Sequence, residues 1–492
     1  MRACAGEGSG MILTLSAALL SARLMLAPAA TTLALAPCRI SNPARSRSVA
    51  ARCGRFPVAE NPDAPDGRTI ELFVAVVPAL DVKPQPDALA VLAGGPGAAA
   101  TEFYVDYAAA FDRVHRMRDI LLVDQRGTGS SHRLDCTDTA LALDAGTDDV
   151  REAARRCVAE LDADPRWYTT SMAVRDLDAV RAALGYAQLD LYGASYGSRV
   201  ALHYLRRYPA QTRTAILDGV LPADVALGPE IALDAQRALD DVFKRCAADP
   251  ACSEEFPDLR VHFRALRTRL EETPLALTLA DPRSAEPVEM RFGEPELDAA
   301  IRLLSYTTDT AALLPLLLDR AAAGEVAPLA AQTLMIERSL GDTLAEGMHN
   351  SIVCAEDVPF FAIDDARRTA LAATYLGTTQ VDSLAAICDA WPRGFVDPDF
   401  KTPVSASQPV LLLSGGSDPV TPPRYGEQTL ATLSHGLHVV AVGQGHGIAA
   451  LGCVPLLIAG FVDAASAKGL DTACVSRLRP APFFTSFNGP GP

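Results

Sequence analysis

Gly193-Ala194-Ser195-Tyr196-Gly197 sets a serine between an apolar run, Leu189-Asp190-Leu191-Tyr192, and a helix-like run over 198–207. A strand turning sharply into a helix would leave the Ser195 hydroxyl exposed on a strained turn, with small flanking residues letting the two elements approach. A serine hydroxyl is a poor nucleophile until a base takes its proton. That base needs a third group to fix its tautomer and stabilise its cation. Both types follow later in the chain. Asp418 lies in Ser414-Gly415-Gly416-Ser417-Asp418-Pro419-Val420-Thr421-Pro422, after the apolar run 410–413. His446 lies in Gly443-Gln444-Gly445-His446-Gly447, after the run 439–442. Serine, acid and histidine in that order, each on a loop after a strand-like run, predict a Ser195–His446–Asp418 triad.

Other residues compete for the roles of base and acid. The chain has 8 histidines: His115, His132, His203, His262, His349, His435, His438 and His446. His446 alone sits in a glycine-flanked loop after a strand and beyond a strand-end acid. Asp218 follows the run 214–217 and is a rival acid, but the Gly-Ser-Asp-Pro context makes Asp418 the better choice. Acyl transfer also needs donors for the developing oxyanion. Gly94-Gly95-Pro96-Gly97 can present unshielded backbone N–H groups, with Gly95 as the choice within it, and the N–H of Tyr196 is the second donor. Metal-ligand spacings are absent from the sequence. Gly127-Thr128-Gly129 lacks the full dinucleotide-loop pattern. No cofactor is therefore expected.

The elements that must position these residues have a readable order. Residues 70–77 alternate in part, as a half-buried edge strand would. Short apolar runs at 88–93 and 120–123 end in Gly94-Gly95-Pro96-Gly97 and Asp124-Gln125-Arg126-Gly127-Thr128-Gly129. Val174, Leu177, Val180, Ala183 and Leu184 have helical spacing. Next come the strand into Ser195, its helix and a strand at 214–217. Such alternation predicts an α/β protein with a mostly parallel sheet and helices on both faces. From 222 to 405 the chain turns Ala-, Leu- and Arg-rich and helical in period. Strands resume at 410–413 and 436–442, followed by a closing helix at 448–462. Together these predict an α/β-hydrolase fold with an inserted helical cap. The boundaries are a signal segment 1–36, core 37–221, cap 222–405, core 406–475 and a loose tail 476–492. Two independent domains are the alternative. The insertion is preferred because the last strands complete the chemistry of the first half, on the sheet edge where ligands bind.

Composition sets the compartment and excludes some partners. A formal net charge of −16 argues against a broad nucleic-acid face, which needs clustered Lys and Arg. Residues 11–36 are almost wholly apolar, with Arg23 the only charge, and offer cleavage sites around Ala27-Pro28-Ala29 and Ala34-Leu35-Ala36. They read as an export signal, with Met11 an alternative initiator. Arg23 and Pro28 leave no clean span of about 20 apolar residues, so a retained membrane anchor is the lesser alternative. Removing Cys4 from the 11 cysteines leaves an even set that falls as neighbours: Cys38 and Cys53, Cys136 and Cys157, Cys246 and Cys252, Cys354 and Cys388, Cys453 and Cys474. In an exported chain these suit disulfides, with local pairing one of the connectivities open. Leu35-Ala36-Pro37-Cys38 faintly resembles a lipoprotein signal, so a lipid anchor at Cys38 is a minor alternative to a free secreted or periplasmic protein.

Gly94-Gly95-Pro96-Gly97, Asp124-Gln125-Arg126-Gly127-Thr128-Gly129 with Ser131, and Gly193-x-Ser195-Tyr196-Gly197 together resemble the prolyl aminopeptidase and tripeptidyl aminopeptidase group of serine exopeptidases. The stretch from Ser414 through His446 to Cys453 and Cys474 resembles the tripeptidyl-aminopeptidase-like C-terminal region. The resemblance spans residues 65–475 and is weakest across the cap. Ala93 departs from it, standing where prolyl aminopeptidases usually have histidine, which puts narrow proline specificity in doubt. The resemblance implies release of an N-terminal residue or short peptide, with cap carboxylates holding the substrate ammonium. Glu356 and Asp357 are the matching candidates, through a charge-assisted pair at a fixed distance from the nucleophile. The alternative for them is a loop acid pair bonding backbone. Fold does not fix substrate, so an ester hydrolase on the same fold is the second function. A catalytically silent binding protein would have lost Ser195, Asp418 or His446, and all are present. Dehalogenases and epoxide hydrolases need aspartate at the elbow. The expected partner is a peptide or small ester substrate, with no nucleic acid and no membrane span once the signal is removed.

Overall fold

The computed structural model describes residues 5–6, 33–42, 47–136 and 145–490. The chain divides into Met1–Thr32 and Leu33–Pro492, and the fold is that of the second unit. Apart from residues 5–6 and 33–36, the expected export signal lies outside the described residues.

The main sheet is built from β1 (Ala36–Ser41), β2 (Ser48–Ala59), β3 (Thr69–Val77), β4 (Ala88–Leu92), β5 (Asp119–Val123), β6 (Leu189–Ala194) and β7 (Thr212–Asp218). After a separate cap hairpin of β8 (Leu275–Ala280) and β9 (Pro287–Phe292), it is completed by β10 (Val410–Gly415) and β11 (Gly436–Ala441). Among the described residues the sheet has nine strands in the order β1-β2-β3-β5-β4-β6-β7-β10-β11. From β5 to β11 every neighbouring pair is parallel, while β1, β2 and β3 add an antiparallel edge.

Strand side chains alternate between the two faces, and here both faces are buried. In β10, Val410 and Leu412 join Ala90, Leu191 and Leu217 in one core. Leu411 and Leu413 join Val91, Leu122 and Ile216 in the other. The helices Thr170–Leu184 and Tyr196–Arg207 cover the first face; Ala100–His115 and Val454–Ala464 cover the second. Each fully buried Leu or Val contributes roughly 1.5–3 kcal/mol of hydrophobic stabilisation, so a continuous apolar run in a central strand is anchored from both sides.

Between β7 and β10 the chain is helical, with its own core from Leu239, Phe243, Leu297, Leu304, Leu316 and Leu329. The fold is thus an α/β-hydrolase sheet with an inserted helical cap.

Several local expectations are corrected. The run 70–77 is no edge strand, because β1 and β2 extend the sheet beyond it. The closing helix starts at Val454 rather than 448, after a turn through Gly452 with φ 48°. The cap also contains the β8–β9 hairpin. The tail is not loose. Phe483 is 4 % exposed in the cap core, Arg245 lies over its ring at 4.8 Å, and the Phe484 N–H donates to the Ala312 carbonyl at 3.0 Å. Two adjacent aromatics give this proline-rich segment an apolar anchor.

All five neighbour pairs of cysteines are disulfides: Cys38–Cys53, Cys136–Cys157, Cys246–Cys252, Cys354–Cys388 and Cys453–Cys474. The Cys38 sulfur joins β1 to β2, which removes the thiol that a lipid anchor would need. Five disulfides fit an oxidising, extracytoplasmic compartment. No helix among the described residues is long and apolar enough to cross a membrane.

Candidate active site

Ser195 stands between β6 and the helix Tyr196–Arg207 at φ 54°, ψ −122°, a region that side-chain-bearing residues rarely occupy. Its N–H donates to the Asp218 carbonyl at 2.8 Å. The flanking glycines are required by packing: a Cβ on Gly193 would run into the Gly197 carbonyl, and one on Gly197 into the Leu92 carbonyl.

Asp418 and His446 follow β10 and β11, and these neighbouring parallel strands release their loops at the same edge as Ser195. The His446 Nδ1 and Asp418 Oδ2 are 2.8 Å apart. Asp418 is fully buried and also accepts from the N–H groups of Val420 and Thr421, each at 2.8 Å, and from the Thr421 hydroxyl at 2.7 Å. Burial pushes its pKa up, but the His446 charge and hydrogen bond, with the backbone donors, hold it below the usual carboxylate value. Burial pulls the His446 imidazole down, and the Asp418 charge and hydrogen bond more than offset this, leaving it above 6.5. The arrangement orients an imidazole and stabilises its protonated form.

Two contacts at His446 were missed by sequence reasoning. The Thr421 hydroxyl stands 3.0 Å from Nδ1, and a threonine three residues after an acid is a recognisable local hydrogen-bonding signal. Tyr306, from the cap, packs edge-on against the ring at 5.4 Å between centroids, and its carbonyl accepts the His446 N–H at 2.6 Å. Nothing local in the sequence marks Tyr306. The rival acid Asp218 accepts from Tyr192 and from the N–H groups of Ile448 and Ala449, so it pins the loop after His446. His203 and His262 also pair with carboxylates, Asp397 and Asp319, but both sit within helices rather than on the strand-end loops.

The glycine loop after β4 lies against the elbow: a Cβ on Gly94 would stand 3.1 Å from the Ser195 Cβ. Gly95 has φ 108°. Tyr196 opens its helix, so its N–H is one of the donors without an intrahelical partner. The cap closes on this loop through the Ala345 N–H to the Gly97 carbonyl at 3.0 Å, and His349 Nδ1 stands 3.3 Å from the Pro96 carbonyl.

Glu356 and Asp357 require a correction. Both are 0 % exposed and committed to internal partners. Glu356 accepts from the Thr170 N–H at 2.7 Å and the Thr170 hydroxyl at 2.9 Å, and burial raises its pKa. The same hydroxyl meets the Tyr196 phenol at 2.6 Å, which in turn accepts from Gln125 at 3.1 Å. Asp357 holds the buried Arg199 at 2.9 Å, the Leu227 N–H at 2.8 Å and Lys401 at 3.3 Å. These carboxylates brace the elbow helix and do not present an ammonium site to solvent. Arg199→Met leaves buried Asp357 with Lys401 as its remaining cation and takes a charge from beside Glu356 at 3.9 Å, so it is expected to destabilise the fold by about 1–3 kcal/mol in urea unfolding. A loss below about 1 kcal/mol, the range of surface pairs, would show the pair to be incidental.

The Asp124–Gly129 motif proves structural. Asp124 accepts from Thr101 and Ser130, and Arg126 is buried in a two-pronged pair with Asp176 at 2.7 and 2.8 Å.

The sequence matches the alpha/beta hydrolase fold family over residues 87–451. It is 27% identical over 433 residues to serine protease Hip1 of Mycobacterium tuberculosis, covering 79% of this chain and 80% of that protein. It is also 27% identical over 189 residues to the tripeptidyl aminopeptidase of Streptomyces lividans, covering 35% of each. Among solved structures, the proline iminopeptidase of Mycobacterium smegmatis aligns with 84% of this chain and 98% of its own at 16% identity, with a TM-score of 0.37.

Proposed function

Because the chain belongs to the alpha/beta hydrolase fold family, we propose that it is a secreted or periplasmic serine aminopeptidase releasing N-terminal residues or short peptides. The observation that carries this is the 2.8 Å contact of His446 with buried Asp418 at the sheet edge that also bears the Ser195 elbow. Relatives with protease and tripeptidyl aminopeptidase names support peptide bonds as the substrate.

The mechanism is two-step acyl transfer. Ser195 Oγ attacks the substrate carbonyl as His446 takes its proton, and Asp418 stays ionised beside the imidazolium. The N–H groups of Gly95 and Tyr196 hold the oxyanion. His446 then protonates the leaving amine. Water, deprotonated by the same imidazole, releases the acyl group and restores Ser195.

Burial of Glu356 and Asp357 removes the expected anchor for a free amine, which favours an ester hydrolase as the second reading. A panel of aminoacyl, tripeptidyl and short-chain ester chromogenic substrates, each with and without an N-terminal block, separates the two. An exopeptidase is expected to turn over free-amine peptides and lose them on blocking. Equal rates on blocked and free substrates, with esters dominant, would overturn the aminopeptidase reading.

A further inference from the structure

The two oxygens of Asp418 do different work. Oδ1 accepts from the N–H groups of Val420 and Thr421, each at 2.8 Å, which fixes the carboxylate to its own loop. Oδ2 faces the base, with His446 Nδ1 at 2.8 Å, and it also accepts from the Thr421 hydroxyl at 2.7 Å. Thr421 is buried beside it. A hydroxyl has one proton, and here the carboxylate takes it. Toward His446 Nδ1, 3.0 Å away, Thr421 Oγ1 then offers only lone pairs. Both neighbours of Nδ1 are therefore acceptors. That keeps the imidazole proton on Nδ1 and leaves Nε2 as the base.

Packing holds these groups together. Gly219, the residue after β7, has φ 66°, and a Cβ there would stand 3.0 Å from Thr421 Oγ1 and 2.9 Å from His446 Cε1. The charged and titratable groups around the ring come from several segments. Asp418 touches it from the acid loop, and Asp218 at the end of β7 acts on it as a second buried anion. Tyr306 packs on it from the cap, and Arg237 of the cap helix Ile231–Ala248 reaches the Asp418 carbonyl at 2.7 Å. Burial lowers the His446 pKa, but the Asp418 charge and hydrogen bond, with the Asp218 charge, raise it overall. Two anions beside one buried imidazole favour its cation, and a cation cannot take the Ser195 proton. A hydrogen bond donated to a carboxylate stabilises the anion without the imidazole's proton. The Thr421 bond thus weakens the pull of Asp418.

We infer that Thr421 is a positioning residue of the reaction: acting through Asp418 Oδ2, it holds His446 in the Nδ1–H form and limits how strongly the carboxylate retains the imidazole proton. This rests on the hydrolase reading of Ser195. A residue that only packed the loop would need the shape of threonine. This role needs its hydroxyl proton.

The test compares Thr421→Val, Thr421→Ala and Thr421→Ser with wild type. Valine keeps the branched shape and loses the proton; alanine loses it without setting a methyl group against Oδ2; serine keeps it. In Thr421→Val and Thr421→Ala the acid limb of kcat/KM is expected to move to higher pH by about one unit. Below the limb kcat/KM then falls about 10-fold, while the plateau at high pH changes less. Thr421→Ser should keep the wild-type limb. A titration of the His446 ring by NMR with ¹³C-labelled histidine, assigned by its loss in His446→Gln, reads the same shift without turnover when each variant is made in the Ser195→Ala protein. The NMR shift, found in a protein whose wild type turns over no substrate, would uphold the role of Thr421 toward His446 and overturn the hydrolase reading alone. An unmoved ring titration in folded Thr421→Val and Thr421→Ala, or a limb that stays in place while the rate falls equally at all pH values, would overturn the inference and leave Thr421 a packing residue.

Discussion

Ser195→Ala is expected to lower kcat by about 10⁶-fold, as removal of the nucleophile does where serine and histidine act as a unit. The size follows from covalent chemistry: without Oγ no acyl-enzyme forms, and only the donors of Gly95 and Tyr196 and substrate binding remain, worth about 10³–10⁴ over water. KM should change little, since Oγ contributes to the transition state more than to the ground state. The fold should be unaffected, because alanine tolerates the φ of 54° at Ser195 no worse than serine does. Steady-state kinetics on the best substrate of the panel checks this. A variant retaining a tenth or more of the wild-type rate would place the nucleophile elsewhere.

Asp418→Asn is expected to lower kcat by about 10⁴-fold. Asp418 accepts at both oxygens, from the Val420 and Thr421 N–H groups on one and from Thr421 and His446 on the other. An amide keeps the first set but turns an NH₂ toward His446, forcing the wrong tautomer. The pH profile carries a second signature. The active base is neutral imidazole, and the His446 pKa lies above 6.5 because Asp418 stabilises the cation. Wild-type kcat/KM should therefore fall as pH drops through a value above 6.5. Removing the charge lowers that pKa, so the acid limb of Asp418→Asn should move to lower pH. An unmoved limb with an equal loss at all pH values would make Asp418 a packing residue only.

The site was legible where chemistry is local to a loop, and illegible where partners converge from distant segments. Ser195, Asp418 and His446 each sit beside glycines after apolar runs, and parallel pairing brings their loops to one edge. The strands β4, β5, β6, β7 and β10 were readable because burial on both faces demands unbroken apolar runs. Strands β1 and β2 were not, since Ala-Pro-Cys-Arg-Ile-Ser and an Arg- and Gly-bearing twelve-residue run carry no such pattern; pairing to β3 and the Cys38–Cys53 bond hold them instead. Glu356 and Asp357 looked available because their partners Thr170, Arg199, Leu227 and Lys401 are scattered along the chain. Tyr306 was invisible for the same reason: it matters only through the His446 ring that the fold places across from it.

The most direct measurement is the position of a covalent adduct after treating the wild-type protein with a fluorophosphonate. Peptide mass mapping is expected to find one stoichiometric adduct on Ser195, absent from the Ser195→Ala protein. An adduct on another residue, or none on a folded protein that still hydrolyses substrate, would contradict the Ser195 mechanism.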